Sequence, residues 1–476
     1  MSGTKGPRLL HTVFGPLVFA ILCLTPLPGM PYPVRASIGL LVWMSWWWIF
    51  QPVHLAVTGF LPLPVLAVCN FLPVGEILPA YAQQLVILIL GANIIAVAWN
   101  RWGLDRRIAL VSLLGIGTGT RQQILAWFAI AAVLSTLLPN AVVAAAMIPI
   151  VVAMLRYIGI EDLKRSAFGT ALLVAVAWGT SVGGSGTPLG GAPNLLTVQF
   201  LEEQLTGHEF LFSTWFTHVM PLTLVAGLVA FVYMRFALKP ELEHVDGTHE
   251  FFRSELAALG PMRAPERWGL ALFLIATALA FTRQLYADAL PGLTPAFAFL
   301  GCGLVCFVLR HADEPLITWE YAQPRIVWGL IYLFAGGSAL GQILSRTGTA
   351  QYIADWLVPL ADHGGIVAIG AFGLLTIVLT QITSNTAAVA IVVPITISTF
   401  ESMGANAVPM VFIVAAIGNY GLVLPSSSAG PAIAAGYGIE LKTMVRSGIG
   451  LSLLILAAIV VSGYLLERFW PGFGVA

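Results

Sequence analysis

Apolar residues along the chain gather into runs long enough to cross a bilayer, joined by short polar segments. The runs 12–30, 36–51, 53–73, 84–100, 211–238, 268–285, 294–310, 327–345 and 447–467 are continuous, and 166–205 and 407–440 are interrupted near their middles. A spanning helix needs about 20 apolar residues, so the pattern predicts eleven transmembrane helices. Two further runs, 122–155 and 366–400, are each broken at the centre by a polar tip. Each is expected to fold as a re-entrant hairpin that enters and leaves on one side. The predicted class is therefore an all-α polytopic membrane protein.

Composition agrees. Of 476 residues, 58% are hydrophobic and only 9% are charged, 22 basic against 22 acidic, where a soluble domain carries roughly 25% charge. Mean hydropathy is +0.90. This excludes a soluble domain, a disordered or collagen-like chain, and a nucleic-acid binder, which needs a basic face. Cys23, Cys69, Cys302 and Cys306 all sit in apolar runs and form no disulfide framework. Lys5 and Arg8 precede the first apolar run, but no small-residue cleavage site follows cleanly, so that run reads as a spanning helix.

The charges fall at run ends and in joints. Intramembrane carboxylates are the usual parts of proton relays and cation exchangers, so their absence argues against both. With the N-terminus inside, 18 of the 22 basic residues sort to the inner side, and only Arg35, Arg283, Arg346 and Arg468 fall outside. The sorting requires both hairpins to return to the side they enter. It places the N-terminus in the cytoplasm and the C-terminus outside, in a plasma membrane expected to be a bacterial inner membrane.

The chain also matches itself at a shift of 245. Residues 88–109 lie over 333–354, and PNAVVAAAMIPI (139–150) lies over SNTAAVAIVVPI (384–395). Asn140 meets Asn385, Pro149 meets Pro394, and Ser135 meets Thr380. The first copy's helix ends beside Arg101, Arg106 and Arg107 and its counterpart ends outside, so the copies are expected to be inverted. Inverted repeats with broken helices are the sequence mark of secondary transporters, whose site lies at the breaks near the midplane.

There are four breaks. Two are the hairpin tips, Leu138–Ala141 and Thr383–Thr386. The others, 183–194 and 424–433, pair at a shift of 237. A half-helix that starts at a break aims unpaired N–H groups and its positive dipole end at the midplane, which attracts an anion without a buried cation. Pro139 suits a first helical turn and Ser384 and Asn385 suit a cap. Carbonyls and hydroxyls freed at the same breaks can ligate sodium. Taken singly, Asn140 or the glycines of 183–194 are better explained by helix packing and hydrogen bonding between helices; the pairing of all four breaks favours a site. Gly183-Gly184-Ser185-Gly186 also has the form found around intramembrane protease serines. A serine nucleophile needs a histidine base in reach, whereas His208, His218, His244, His249, His311 and His363 fall in joints or near run ends.

At these residues the chain resembles the divalent anion/sodium symporter family, from about residue 37 to 466. The family's Ser-Asn-Thr tip is complete in Ser384-Asn385-Thr386, and Gly190-Gly191-Ala192-Pro193-Asn194 is similar to its Gly-Thr-Pro-Pro-Asn element. The resemblance implies a homodimer with a scaffold and a transport part that moves as an elevator. It implies a first sodium site at Ser135, Asn140 and the backbone of Gly190. A second would use Thr380, Ser384, Asn385, the backbone of Ser427, and Ala429. The substrate carboxylates would meet Asn140, Asn385, Thr386 and Ser428, with Pro139, Ala141, Gly191 and Ser384 lining the same place. The chain departs from the pattern in its first half: the tip reads Pro139-Asn140-Ala141, and Gly191 stands where the family has a hydroxyl. The expected function is secondary transport of di- or tricarboxylate anions coupled to sodium. A sodium-independent anion exchanger or sulfate carrier of the same fold is the alternative, and an intramembrane serine hydrolase is a remote one. The expected parts are scaffold helices 1–120, a first transport part 121–238, a cytoplasmic linker 239–267, second scaffold helices 268–362 and a second transport part 363–476.

Overall fold

A computed structural model of the chain describes residues 5–361 and 365–475. His363 and the boundary drawn at 362/363 lie outside the described residues. The leading helices are α1 (Lys5–Leu24), α2 (Tyr32–Phe50), α3 (Leu55–Gly59), α4 (Pro62–Cys69) and α5 (Val74–Ile77). The first repeat holds α6 (Gln84–Trp102), α7 (Leu104–Leu113), α8 (Thr120–Leu137), α9 (Asn140–Tyr157), α10 (Ala167–Gly184), α11 (Ala192–Phe200) and α12 (Phe212–Ala237). Then come α13 (Thr248–Leu259), α14 (Ala264–Phe281), α15 (Pro295–Val308) and α16 (Trp319–Ala322). The second repeat holds α17 (Trp328–Arg346), α18 (Thr349–Ala361), α19 (Gly365–Ile382), α20 (Asn385–Ser402), α21 (Val408–Gly418), α22 (Ala429–Gly436) and α23 (Leu441–Phe469).

The repeat read from the sequence is carried by the helix boundaries. Both arms of the first hairpin, 120–137 and 140–157, reappear 245 residues on as 365–382 and 385–402. The half-helices that follow the other two breaks start at Ala192 and Ala429, 237 apart. Among the described residues, nine helices are long and apolar enough to cross a membrane, and shorter apolar helices accompany them. The protein is an all-α polytopic membrane protein.

Two expectations change in detail. The run 53–73 is not one helix but is divided at Phe60–Leu61 into α3 and α4. Pro62 and Pro64 explain this, because each lacks the N–H that would continue the ladder from the preceding turn. The joint 239–267, in which the sequence shows no motif, contains α13. Its Phe251 and Phe252 are buried, and Phe252 lies 6.0 Å from the Trp127 ring. Charges at neighbouring positions dilute that apolar face in the linear pattern.

Packing places the four breaks together. α8 lies against α10, α9 against α10 and α22, α20 against α11 and α21, and α10 against α22. Each repeat's hairpin thus touches the other repeat's broken helix. α10 and α20 are the central elements, 94% and 83% buried over their apolar windows, against 28% for the peripheral α23. The α8–α10 contact depends on small residues: a Cβ on Gly183 would lie 1.9 Å from Ala132 O. Gly183 is therefore a packing glycine. At one end of the bundle Arg107 pairs with Glu266 at 2.6 Å and Arg101 with Glu314 at 3.2 Å, and Arg106 pairs with Glu255.

Candidate functional site

The two tips are built alike. α8 ends at Leu137 and α9 opens at Asn140; α19 ends at Ile382 and α20 opens at Asn385. At the first tip the Asn140 amide donates to Gly190 O at 3.0 Å, and at the second the Asn385 amide donates to Ser427 O at 2.9 Å. Each tip is thus tied to the break of its own repeat by the equivalent bond. The next amides, Ala141 N and Thr386 N, find no acceptor among the described residues. They are the orphan donors of a helix start, one per repeat, at positions related by the 245 shift.

The tips differ in their side chains. Ser384 caps α20, accepting from Ala387 N at 3.2 Å, whereas Pro139 gives α9 no side-chain cap. Asn385 and Thr386 are 4% and 5% exposed; Pro139, Asn140 and Ala141 are half-buried. The Asn140 side chain makes no hydrogen bond among the described residues. Gly191 and Ser428 open the other two half-helices as N-caps, and neither supplies a side-chain cap. Ser428 Oγ lies instead 3.1 Å from Ser181 Oγ, and half-buried Ala429 begins α22.

Oxygen atoms outnumber the hydrogens available to them around the second tip. Thr380 Oγ1 lies 2.7 Å from Asn385 Oδ1 and 2.8 Å from Gly418 O, yet a hydroxyl has one hydrogen. Ser427 Oγ likewise lies 2.9 Å from Gly421 O and 2.6 Å from Leu424 O. Gly418 ends α21, so its carbonyl is also at the negative end of a helix dipole. In the first half Ser135 Oγ donates to Thr180 O at 2.9 Å. The Ser135 carbonyl has no helical donor, because the residue four positions on is Pro139, which carries no N–H. A neutral, all-oxygen set under-supplied with hydrogen suits a sodium ion and offers nothing to a softer metal. The residues present fit that ion, and more fully at Thr380, Asn385 and Ser427 than at Ser135, Asn140 and Gly190.

Sequence reasoning missed the residues that join the halves. Asn385 Nδ2 donates to Asn419 O at 2.8 Å, Asn419 Nδ2 to Asn194 Oδ1 at 2.7 Å, and Asn194 Nδ2 to Gly184 O and Thr187 O, each at 2.7 Å. Gln381 fixes the unwound stretch after α21. Its amide donates to Tyr420 O at 2.8 Å, and its oxygen accepts from Leu422 N at 2.8 Å and Val423 N at 3.0 Å. Asn419 was visible only as a single polar residue in an apolar run, and Gln381 only as a polar neighbour of the second tip. Ser185 is fully buried and bonds to Val182 O, Thr223 and Tyr420, with no histidine partner among the described residues. His218 is occupied by Thr214 O and Gly472 O. None of the side chains that form the site carries a charge.

Comparisons with known proteins bear on the family and the fold. The sodium:sulfate symporter transmembrane region, a family description, matches residues 8–473. The sodium-dependent dicarboxylate transporter SdcS of Staphylococcus saprophyticus is 28% identical over 479 residues, covering 96% of this chain and 91% of the relative. The protein of the same name from Staphylococcus aureus is 26% identical over 475 residues with the same coverage. Among solved structures, the Alcanivorax borkumensis YdaH transporter shares the fold with a TM-score of 0.56 at 14% identity, over 93% of this chain and 99% of that one. With a match across nearly its whole length, the chain belongs to the sodium:sulfate symporter family.

Proposed function

We propose that the protein is a sodium-coupled symporter of di- or tricarboxylate anions. The observation that carries this reading is the pair of free amides, Ala141 N and Thr386 N, at equivalent starts of α9 and α20. Two helix starts, one from each repeat, suit a substrate with a carboxylate at each end. Thr386 Oγ1, Ser428 Oγ and the Asn140 side chain add neutral donors, while Pro139, Gly191 and Ala141 contribute shape alone. Sodium, when bound, supplies positive charge beside the carboxylates. Thr380, Asn385, the Ser427 carbonyl and Ala429 frame its second site, with Ser384 at the cap; Ser135, Asn140 and the Gly190 carbonyl frame the first. The interleaving of hairpins and broken helices supports a transport part, 121–238 with 363–476, that moves as a unit against scaffold helices 1–120 and 268–362. We assign it to an elevator motion in a homodimer, in a bacterial inner membrane with the N-terminus cytoplasmic. Succinate and citrate uptake into proteoliposomes, with and without a sodium gradient, tests the reading. A transporter, rather than a hydrolase, is what the family membership and the buried, histidine-free Ser185 support.

One observation favours a second reading. The first tip carries no hydroxyl at Pro139 or Ala141 and none at Gly191. Each lost neutral hydrogen bond removes about 0.5–1.5 kcal/mol, enough to change selectivity. An anion exchanger or a sulfate carrier of the same fold would show counterflow that ignores sodium.

A further inference from the structure

The asparagine chain that joins the two halves leaves one atom over. Asn194 Nδ2 donates to two carbonyls, so Asn194 Oδ1 must be the acceptor of the pair with Asn419. Asn419 Nδ2 donates to that oxygen at 2.7 Å and to Ala415 O at 2.9 Å. Both partners are acceptors, so the amide cannot be flipped. Asn419 Oδ1 is then fixed in place, 1% exposed as a residue, and without any hydrogen-bond partner among the described residues. Leaving such a buried acceptor unsatisfied costs about 1–3 kcal/mol, which a ligand can recover.

The surroundings identify the ligand class. Asn419 follows α21, at the negative end of its dipole. Its Oδ1 reaches across to the first repeat, 2.6 Å from where a Cβ on Gly191 would sit, and Gly184 O is 3.0 Å from the same point. Gly184 O is also 2.7 Å from the Cβ position of Gly190, and Ser135 O is 2.4 Å from it. The missing side chains at Gly190 and Gly191 thus leave a cradle bordered by Ser135 O, Gly184 O and Asn419 Oδ1. Ser135 O is the carbonyl that Pro139 deprives of its helical donor. Asn194 Nδ2, 3.2 Å from the Gly191 Cβ position, spends its hydrogens on Gly184 O and Thr187 O and leaves Asn419 Oδ1 without a donor. Three oxygens converging on the two glycines present their negative ends to a cation.

We propose that Asn419, from the second repeat, supplies a side-chain oxygen ligand to the cation site of the first repeat, in place of the hydroxyls absent at Pro139, Ala141 and Gly191. The inference rests on the sodium-coupled reading. It makes the first cation site a shared one: a ligand there holds Asn419, and Asn419 O holds Asn385 at the second tip. Occupation of one half then orients the other.

The test uses the purified full-length protein, with melting followed as sodium is titrated against choline, and with binding of radioactive sodium measured at equilibrium, both without substrate. The wild type is expected to bind more than one sodium per chain. Asn419→Ala should lower that number by one, or raise half-saturation about tenfold or more, while the response of the second site remains. Gly191→Ala is the second variant, because its Cβ presses on Asn419 Oδ1 and leaves all three asparagines in place; it should produce the same loss. A wild-type sodium titration in both variants overturns the proposal, as does a change confined to carboxylate affinity at saturating sodium, which would place the oxygen against substrate. If the wild type itself shows no sodium response, the coupling reading fails and takes this proposal with it.

Discussion

At the scale of single residues, the fit to sodium depends most on buried Thr380. One hydroxyl hydrogen serves Asn385 Oδ1 and Gly418 O, and the surplus of oxygen is what suits a cation. Thr380→Val keeps the shape and removes that oxygen. It should raise the sodium needed for half-maximal thermal stabilisation about tenfold, a loss of about 1.4 kcal/mol, and it should also lower the sodium-free melting temperature, because Asn385 Oδ1 loses its donor. Ala141→Thr does the converse by giving the first tip the hydroxyl that Thr386 gives the second. Carboxylate binding, read by calorimetry at saturating sodium, should tighten about two- to tenfold, as one added neutral hydrogen bond allows. Ser384 and Asn385 stood out in the sequence because a polar triplet interrupts an apolar run and a copy of the pattern lies 245 residues away, and Thr380 was implied by the family resemblance. Asn419 and Gln381 did not stand out. Asn419 meets its partner Asn194 over 225 residues, and Gln381 bonds only to backbone some 40 residues on. Neither relation leaves a periodicity or a spacing to read.

At the scale of elements, hairpin arms and half-helices follow from prolines, caps and glycines that the chain itself displays. The arms begin and end where the repeat put them, and Pro149 and Pro394 recur in the two return arms. The divided run 53–73 and the helix α13 escaped the pattern for opposite reasons. In the first, apolarity hides a break made by Pro62 and Pro64; in the second, charges hide an apolar face that includes Phe251 and Phe252. Close approach between elements can be tested at Gly183. A valine there places carbon 1.9 Å from Ala132 O and should destabilise the protein by about 1–3 kcal/mol or more, seen as a lower melting temperature in detergent. Gln381→Leu removes one donor and one acceptor from the stretch after α21 and strands Tyr420 O, Leu422 N and Val423 N. The half-life of the purified protein at elevated temperature should shorten, and sodium should protect it less than it protects the wild type.

At the scale of the whole molecule, the shortage of charge becomes a constraint on mechanism. An anion site with no buried cation must draw on helix starts and on bound ions, and four breaks, two hairpin tips and two broken helices, meet where those starts are needed. The interleaving of α9 with α22 and of α20 with α11 makes each half of the site depend on the other repeat. Removing sodium should therefore loosen both hairpins together: a ligand that binds only the folded state stabilises it by about 2.7 kcal/mol at a hundred times its Kd. The most direct measurement is uptake of radiolabelled succinate into proteoliposomes holding the purified protein, with an inward sodium gradient or with choline in its place. Accumulation should require sodium, and Asn385→Ala should abolish it. Equal succinate uptake with and without sodium would contradict sodium coupling.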